Sequence, residues 1–155
     1  MNFDCKKFNE LSLEELYKTM VLRQEVFVVE QDCPYLDADG KDPVCHHVLG
    51  FNNIGELVAY TRLAPRGILY KKYPAIGRVV TSKSVRGTGA GKELMQASLN
   101  YCDQLWPGEP IKISAQTYLK KFYEDFGFVQ SGEAYLEDGI PHIPMVREIE
   151  NRSSR

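Results

Sequence analysis

The stretch of sequence that decides the fold reads Val79-Val80-Thr81-Ser82-Lys83-Ser84-Val85-Arg86-Gly87-Thr88-Gly89-Ala90-Gly91-Lys92. It predicts the end of a strand, a glycine-rich turn and the start of an amphipathic helix. Glycines let the backbone bend and approach a ligand closely. The first turn of the helix adds unpaired N–H groups and the positive end of a dipole, and Arg86 and Lys92 add cationic donors. The stretch therefore predicts a phosphate-binding loop.

Two other glycine-rich nucleotide motifs do not fit this loop. A P-loop needs Gly-x-x-x-x-Gly-Lys-Ser/Thr, but Arg86 stands at its first glycine and Glu93 replaces the hydroxyl residue that binds magnesium. A dinucleotide-binding fingerprint needs a third glycine, where the sequence has Lys92 or Leu94. A nucleotide-binding module is therefore disfavoured. A turn that only joins a strand to a helix remains an alternative.

Patterns on both sides of the loop predict one α/β (α+β) domain over residues 1–150, with residues 151–155 as a disordered tail. Ser12 and Glu15 form a capping box, which predicts a helix from Ser12 that fades near Glu30. Further helices are predicted at residues 88–105 and 117–126. Strands are predicted at residues 3–8, 47–51, 56–63, 75–82, 111–115, 128–135 and 143–149. Because strands and helices do not alternate regularly, we expect a sheet with helices on its faces, and a Rossmann sheet is disfavoured.

Composition narrows the function classes. The chain has 155 residues and a net charge of −2, which argues against a general nucleic-acid or anionic-membrane binder. The longest apolar run, residues 26–29, is far too short to span a membrane. The four cysteines of the chain do not have the spacing of a disulfide framework, so we expect reduced thiols in a cytoplasmic protein.

Two motifs resemble those of the GNAT acetyltransferases. Arg86-x-x-Gly89-x-Gly91 is similar to the family's Gln/Arg-x-x-Gly-x-Gly/Ala motif, and Tyr123-Glu124-x-x-Gly127-Phe128 is similar to the end of its second signature. Gln116 stands where that signature usually has Asn. The resemblance covers about residues 11–149, and motifs near residues 23–31, 37–40, 47–50 and 137–142 resemble the ElaA-like branch.

The resemblance implies the GNAT acyl-CoA N-acyltransferase fold, a mixed central sheet with helices on both faces. It also implies transfer of an acetyl group from acetyl-CoA to a primary amine by direct attack, with no acyl-enzyme and no metal. The acceptor would be a small-molecule or peptide amine, and the protein a monomer or homodimer. An alternative is a non-catalytic acyl-CoA-binding or sensor domain on the same fold. The implied coenzyme A contacts are Val79, Val80, Thr81, Arg86, Gly87, Thr88, Gly89, Ala90, Gly91, Lys92 and Gln116.

Tyr123 is the candidate catalytic acid that the resemblance indicates. Coenzyme A leaves as a thiolate, and an acid that protonates it would speed its departure. The alternative is a core tyrosine with a satisfied hydroxyl. We expect Phe122 and Phe126 to fill the core and to leave Tyr123 free.

The proton that the acceptor amine loses needs a base, and the sequence does not rank the candidates: Glu30, Asp37, Asp39, His47 and His142. Glu30 follows four apolar residues, and burial would raise its pKa towards a useful value. It could equally be a solvated helix-end carboxylate or a partner of Arg23. The acidic loop around Asp39 could attract a cationic amine or be a solvated turn. Water is a further candidate for the proton relay.

A zinc site is a weaker hypothesis. Cys33, Cys45, His46 and His47 offer suitable ligands, but no Cys-x-x-Cys-type pair is present. Adjacent histidines on a strand would also point to opposite faces of the sheet. We therefore expect no metal.

Overall fold

A computed structural model describes residues 1–148 and contains one mixed sheet of eight strands with three α-helices. The strands are β1 (Asn2–Lys7), β2 (His46–Phe51), β3 (Leu57–Ala64), β4 (Ala75–Thr81), β5 (Ile111–Gln116), β6 (Phe128–Gln130), β7 (Tyr135–Glu137) and β8 (Ile140–Arg147). The helices are α1 (Leu13–Arg23), α2 (Ala90–Leu105) and α3 (Lys120–Glu124). None of these helices is long and apolar enough to cross a membrane.

The sheet has the order β1-β2-β3-β4-β5-β8-β6, and β7 also pairs with β8. All neighbouring strands are antiparallel except β4 and β5, which are parallel. Within the described residues, β4 and β5 share a single registered pair, Ala75 with Lys112. The two strands therefore diverge towards their carboxyl ends and leave a gap in the middle of the sheet.

A separate apolar cluster covers each face of the sheet, because successive strand residues point to opposite sides. Val48 and Ala59 face α2 and α3, where they pack with Leu94 and Leu99. Their neighbours in the chain, Leu49 and Tyr60, face α1 and pack with Leu22. Helices thus lie on both faces of the sheet, as predicted.

The first predicted helix changes its character part-way. Its capping box is present, since Ser12 Oγ accepts from the Glu15 amide at 3.0 Å and Glu15 Oε1 accepts from the Ser12 amide at 2.9 Å. The α-helix ends at Arg23, however, and Gln24–Glu30 forms a π-helical segment. Over only seven residues, the spacing of apolar residues cannot distinguish an α-helical repeat from a π-helical repeat. Such segments are frequent at functional sites.

Other boundaries also differ from the prediction. The predicted helix at residues 117–126 is a 3₁₀ turn, Thr117–Leu119, followed by α3. The predicted strand at residues 128–135 is two short strands, β6 and β7, that pair with different parts of β8. The first strand, at residues 3–8, is confirmed as β1. The predicted tail at residues 151–155 lies outside the described residues.

Candidate active site

A cavity fills the gap between β4 and β5. It is lined by β4, β5, the π-helical segment and the residues after it, α3 with the 3₁₀ turn before it, and the β7–β8 hairpin. The lining residues are Phe27, Gln31, Cys33, Tyr35, Ile76, Gly77, Arg78, Val79, Ser114, Gln116, Leu119, Tyr123, Glu137, Asp138, Ile140 and His142. Tyr123, the predicted acid, and His142, one of the predicted bases, thus line the same cavity.

A β-bulge shapes the β4 wall of this cavity. Tyr60 pairs with Val80 and Arg62 pairs with Gly77, so Arg78 and Val79 together stand opposite Thr61. Arg78 has φ +51°, an uncommon conformation for a residue with a side chain. The bulge interrupts the β3–β4 ladder beside the gap.

The side chain of Arg78 is held by two aspartates. Its Nε lies 2.8 Å from Asp37 Oδ1, and its Nη2 lies 3.4 Å from Asp39 Oδ2. Nη2 also donates to the Asp37 carbonyl at 3.1 Å. These contacts offset the cost of the strained backbone.

The glycine-rich loop forms the predicted turn into a helix. Gly87 and Gly89 have φ values of +79° and +85°, which favour glycine. The α-helix begins at Ala90 rather than residue 88, with Gly89 as its N-cap. Since Gly89 supplies no capping side chain, the first-turn amides of α2 remain available to an anion.

Arg86 at the edge of this loop is paired with Glu30. Arg86 Nη2 donates to Glu30 Oε2 at 2.6 Å, and Nη1 donates to Oε1. The hydrogen bonds from Arg86 lower the pKa of Glu30 below its ordinary value. The expectation that apolar neighbours bury Glu30 and raise its pKa is therefore wrong, as is the alternative of a pair with Arg23.

Tyr123 is both buried and part of the cavity wall, with 6% of its surface exposed. Its ring packs edge-on against Phe128 and Phe122 at centroid distances of 6.0 and 5.1 Å. Phe122 and Phe126 are only partly buried, so the expectation that they fill the core in place of Tyr123 is wrong. Burial raises the pKa of Tyr123 to about 12, and the phenol therefore stays protonated near neutral pH.

The acidic loop is neither a solvated turn nor a free anionic patch. Arg23 and Arg62, at 0% and 1% exposure, point into it from α1 and β3. Arg23 contacts Asp37 at 2.7 Å and Asp42 at 2.8 Å, and Arg62 contacts Asp42 at 3.0 Å and Asp39 at 2.8 Å. The expectations of a solvated turn and of a loop that attracts a cationic amine are both wrong, because the carboxylates of this loop form ion pairs with buried arginines.

These ion pairs remove Asp39 from the list of bases. Partial burial alone would raise the pKa of Asp39, but hydrogen bonds from Arg62 and from the Lys41 amide outweigh burial and hold the pKa far below its ordinary value. In Asp42, burial is likewise outweighed by Arg23 and Arg62, and the pKa is lowered. The sequence offered one signal for this network, an arginine inside the apolar strand at residues 57–64.

The two candidate histidines have different surroundings. His47 is buried away from the cavity, with Nδ1 2.6 Å from the Tyr60 hydroxyl and Nε2 3.0 Å from the Asp42 carbonyl. Burial lowers the pKa of His47. His142 lies on β8 and lines the cavity. Of the five bases named from the sequence, only His142 does so.

The hypothetical zinc ligands do not converge. His46 packs against Trp106 and His47 against Tyr60, on opposite faces of the sheet as expected. Cys45 is buried, whereas Cys33 lines the cavity. Within residues 1–148, no group of three or more His, Cys, Asp or Glu side chains is placed to hold a metal ion.

Comparison with known proteins decides the family. A family model described as the acetyltransferase (GNAT) domain matches residues 45–149 of the chain. The chain belongs to the GNAT acetyltransferase family. Protein ElaA of Escherichia coli strain K12, a relative of this GNAT chain, is 46% identical over 143 residues, which cover 91% of this chain and 92% of ElaA.

Solved structures confirm the GNAT acyl-CoA N-acyltransferase fold and the ElaA-like branch. The crystal structure of Escherichia coli ElaA matches with a TM-score of 0.88 at 43% identity, covering 96% of this chain and 100% of that one. An acyl-CoA N-acyltransferase from Pseudomonas aeruginosa also matches with a TM-score of 0.88 at 44% identity, covering 95% and 99%. A distant GNAT-like neighbour in fold is an aminoglycoside 6′-N-acetyltransferase complexed with coenzyme A, with a TM-score of 0.71, 16% identity and coverage of 98% and 99%.

Proposed function

We propose that the protein is an N-acetyltransferase that moves an acetyl group from acetyl-CoA to a primary amine. One observation carries this proposal: a buried phenol, Tyr123, lines the cavity at the point where β4 and β5 separate. The fold neighbour complexed with coenzyme A supports the choice of cofactor. A sensor domain would have no use for an acid at this position.

The cofactor would run from the glycine-rich loop into the gap. Its pyrophosphate would bind the open amides at the start of α2, with Arg86 and Lys92 as cationic partners. The loop residues Gly87, Thr88, Gly89, Ala90 and Gly91 bring the backbone close to the phosphates. Val79, Val80 and Thr81 on β4, with Gln116 on β5, would border the pantetheine arm and deliver the thioester to Tyr123.

The acceptor would approach from the β7–β8 side of the cavity. Glu137 and Asp138 line this side, whereas the charge of Arg78 is offset by Asp37 and Asp39. This balance of charge favours a cationic amine, borne by a small molecule or a peptide. A cationic amine must lose a proton before it can attack the thioester.

Acetyl-CoA should stabilise the fold. A ligand at one hundred times its Kd adds about 2.7 kcal/mol, which for a domain of this size raises Tm by roughly 5–10 °C.

Gly91→Glu should weaken binding at least tenfold, because a carboxylate would face the pyrophosphate. Gly91→Ala is the matched control, since an added Cβ meets only Phe122, at 3.8 Å. Thermal unfolding with acetyl-CoA, ATP and NAD measures the effect.

Three outcomes separate the candidate functions. No Tm shift with millimolar acetyl-CoA contradicts the cofactor assignment. A shift that persists in folded Gly91→Glu places the phosphates elsewhere. A shift without thiol release towards any primary amine identifies a non-catalytic acyl-CoA-binding domain.

Glu30 should compete with the pyrophosphate for Arg86, because both are anions within reach of one guanidinium. Glu30→Gln is therefore expected to tighten coenzyme A binding about two- to fivefold, the scale of a surface ion pair. Glu25→Gln, an exposed glutamate on the same segment, is the matched control. Calorimetry measures the Kd of coenzyme A for the parent protein and for both variants. Weaker binding in Glu30→Gln would mean that the pair holds the loop in its binding conformation instead.

A further inference from the structure

The position of His142 is set by two strand pairings. On β8 it pairs with Gln116 of β5 on one side and with Tyr135 of β7 on the other. Its side chain is 8% exposed, and its ring stacks on Tyr135 with an interplanar angle of 25°. The imidazole is therefore held in place at the wall of the cavity that contains Tyr123.

The hydrogen bonds of His142 define the tautomer of its neutral ring. Nδ1 lies 2.7 Å from the carbonyl oxygen of Ile140. A carbonyl oxygen only accepts, so Nδ1 carries the hydrogen and Nε2 carries the lone pair. Nε2 lies 3.3 Å from Glu137 Oε2. An imidazolium formed at His142 would thus have an acceptor for each of its N–H groups.

Glu137 is oriented for this role. Ser114 Oγ on β5 donates to Glu137 Oε1 at 3.3 Å, which turns the other carboxylate oxygen towards His142. The Glu137 side chain is 49% exposed, so a proton held by the pair has a path to solvent. The sequence indicated no role for Glu137, although it lies in the motif at residues 137–142, because Ser114 is distant in the chain and His142 is on the opposite strand of a hairpin.

We propose that His142 is the base of the reaction and that Glu137 is a positioning residue that stabilises its protonated form. The inference rests on the proposed acetyl transfer. In the step, Nε2 takes one proton from the acceptor ammonium, and the freed nitrogen lone pair attacks the thioester carbonyl carbon. The C–S bond then breaks, the sulfur takes the Tyr123 proton, and the second amine proton returns to the Tyr123 oxygen. The proton on His142 leaves past Glu137 to solvent, so acetylated amine, free thiol and one proton are formed.

Kinetics across pH can separate this role from a structural one. His142→Gln should lower kcat/KM for the acceptor by about 100-fold near neutral pH, the usual scale for a positioned base, with acetyl-CoA affinity unchanged. The loss should shrink as pH rises towards the pKa of the acceptor amine, because free amine then needs no base. Glu137→Gln should lower kcat/KM for the acceptor about five- to tenfold, and this loss should also shrink as the pH rises. His46→Gln and Glu133→Gln are the matched controls and should keep the parent rate.

Other titratable side chains share the surroundings of His142 and are unchanged in these variants: Cys33, Tyr35, Arg78, Tyr123, Tyr135 and Asp138. Recovery at high pH therefore reports on the replaced group. A loss that is equal at every pH would show that His142 only supports the fold, and would overturn the proposal. If His142→Gln does not fold, His142→Asn and Glu137→Gln provide the same comparison.

A second measurement needs neither cofactor nor acceptor. Nitrogen-15 NMR of the three histidine rings, assigned with His142→Gln, should show the Nδ1–H tautomer for neutral His142. An Nε2–H tautomer would overturn the proposal even in an active enzyme. A parent protein that acetylates no primary amine would contradict the proposed function and, with it, the catalytic step. The Nδ1–H tautomer in such a protein would show that the ring geometry is right and the reaction wrong.

Discussion

Replacing Tyr123 with phenylalanine is expected to lower kcat by about 100-fold or more, with acetyl-CoA affinity nearly intact. The substitution removes one hydroxyl and keeps the ring that packs edge-on against Phe122 and Phe128. The lost group acts mainly in the transition state, so the effect falls on kcat rather than on binding. Because thiolate is a fair leaving group unaided, some turnover should remain.

The raised pKa of Tyr123 constrains how it could act. A phenol of pKa about 12 stays protonated, but it is a weaker acid than a thiol. Its proton transfer to sulfur therefore has to be coupled to the return of a proton from the amine nitrogen. Tyr118→Phe, at a tyrosine that is 77% exposed, is the matched control. If Tyr123→Phe keeps kcat within twofold while chemistry limits the rate, Tyr123 is a packing residue.

Replacing Asp42 with asparagine is expected to destabilise the fold by about 3–5 kcal/mol, the cost of removing one partner from a buried ion pair. Asp42 accepts from both Arg23 and Arg62, which are almost completely buried. The change keeps the volume of the side chain and removes its charge, leaving two guanidinium groups short of a partner. Urea unfolding of parent and variant measures the difference in the free energy of unfolding.

The matched control for Asp42 is Asp125→Asn, in an exposed pair with Lys121 four residues away. This variant should change stability far less, since exposed pairs are screened by solvent. Equal and small losses in both variants would show that the buried pairs of Asp42 stabilise the fold no more than an exposed pair does.

Features defined by neighbouring residues were predictable from the sequence. The capping box of Ser12 and Glu15 and the glycine-rich turn into α2 depend on contacts a few residues apart, and each is present. The apolar strands and the long helix α2 follow from periodicity in the same way. Family resemblance added the arrangement of these elements in one mixed sheet and the role of Tyr123.

Features that depend on distant partners were not predictable. Asp37, Asp39 and Asp42 look like turn residues until Arg23, Arg62 and Arg78 are brought to them by α1, β3 and β4. The same holds for Glu30, which lies at the end of the π-helical segment and is 56 residues away in the chain from its partner Arg86 in the glycine-rich loop. The sequence shows which charged side chains are present, but the topology of the sheet determines which of them form ion pairs.

The divergence of β4 from β5 also has a consequence for motion. In the part of the chain that the structure describes, the seam between the two halves of the sheet holds one registered pair, so opening it would break few backbone hydrogen bonds. We therefore expect small movements of one half of the sheet relative to the other in the free protein. A ligand wedged between them would quench that motion, and part of its binding free energy would be lost as conformational entropy. Affinity would then depend on the stiffness of the seam, and a substitution near Ala75 and Lys112 could change it without touching the ligand.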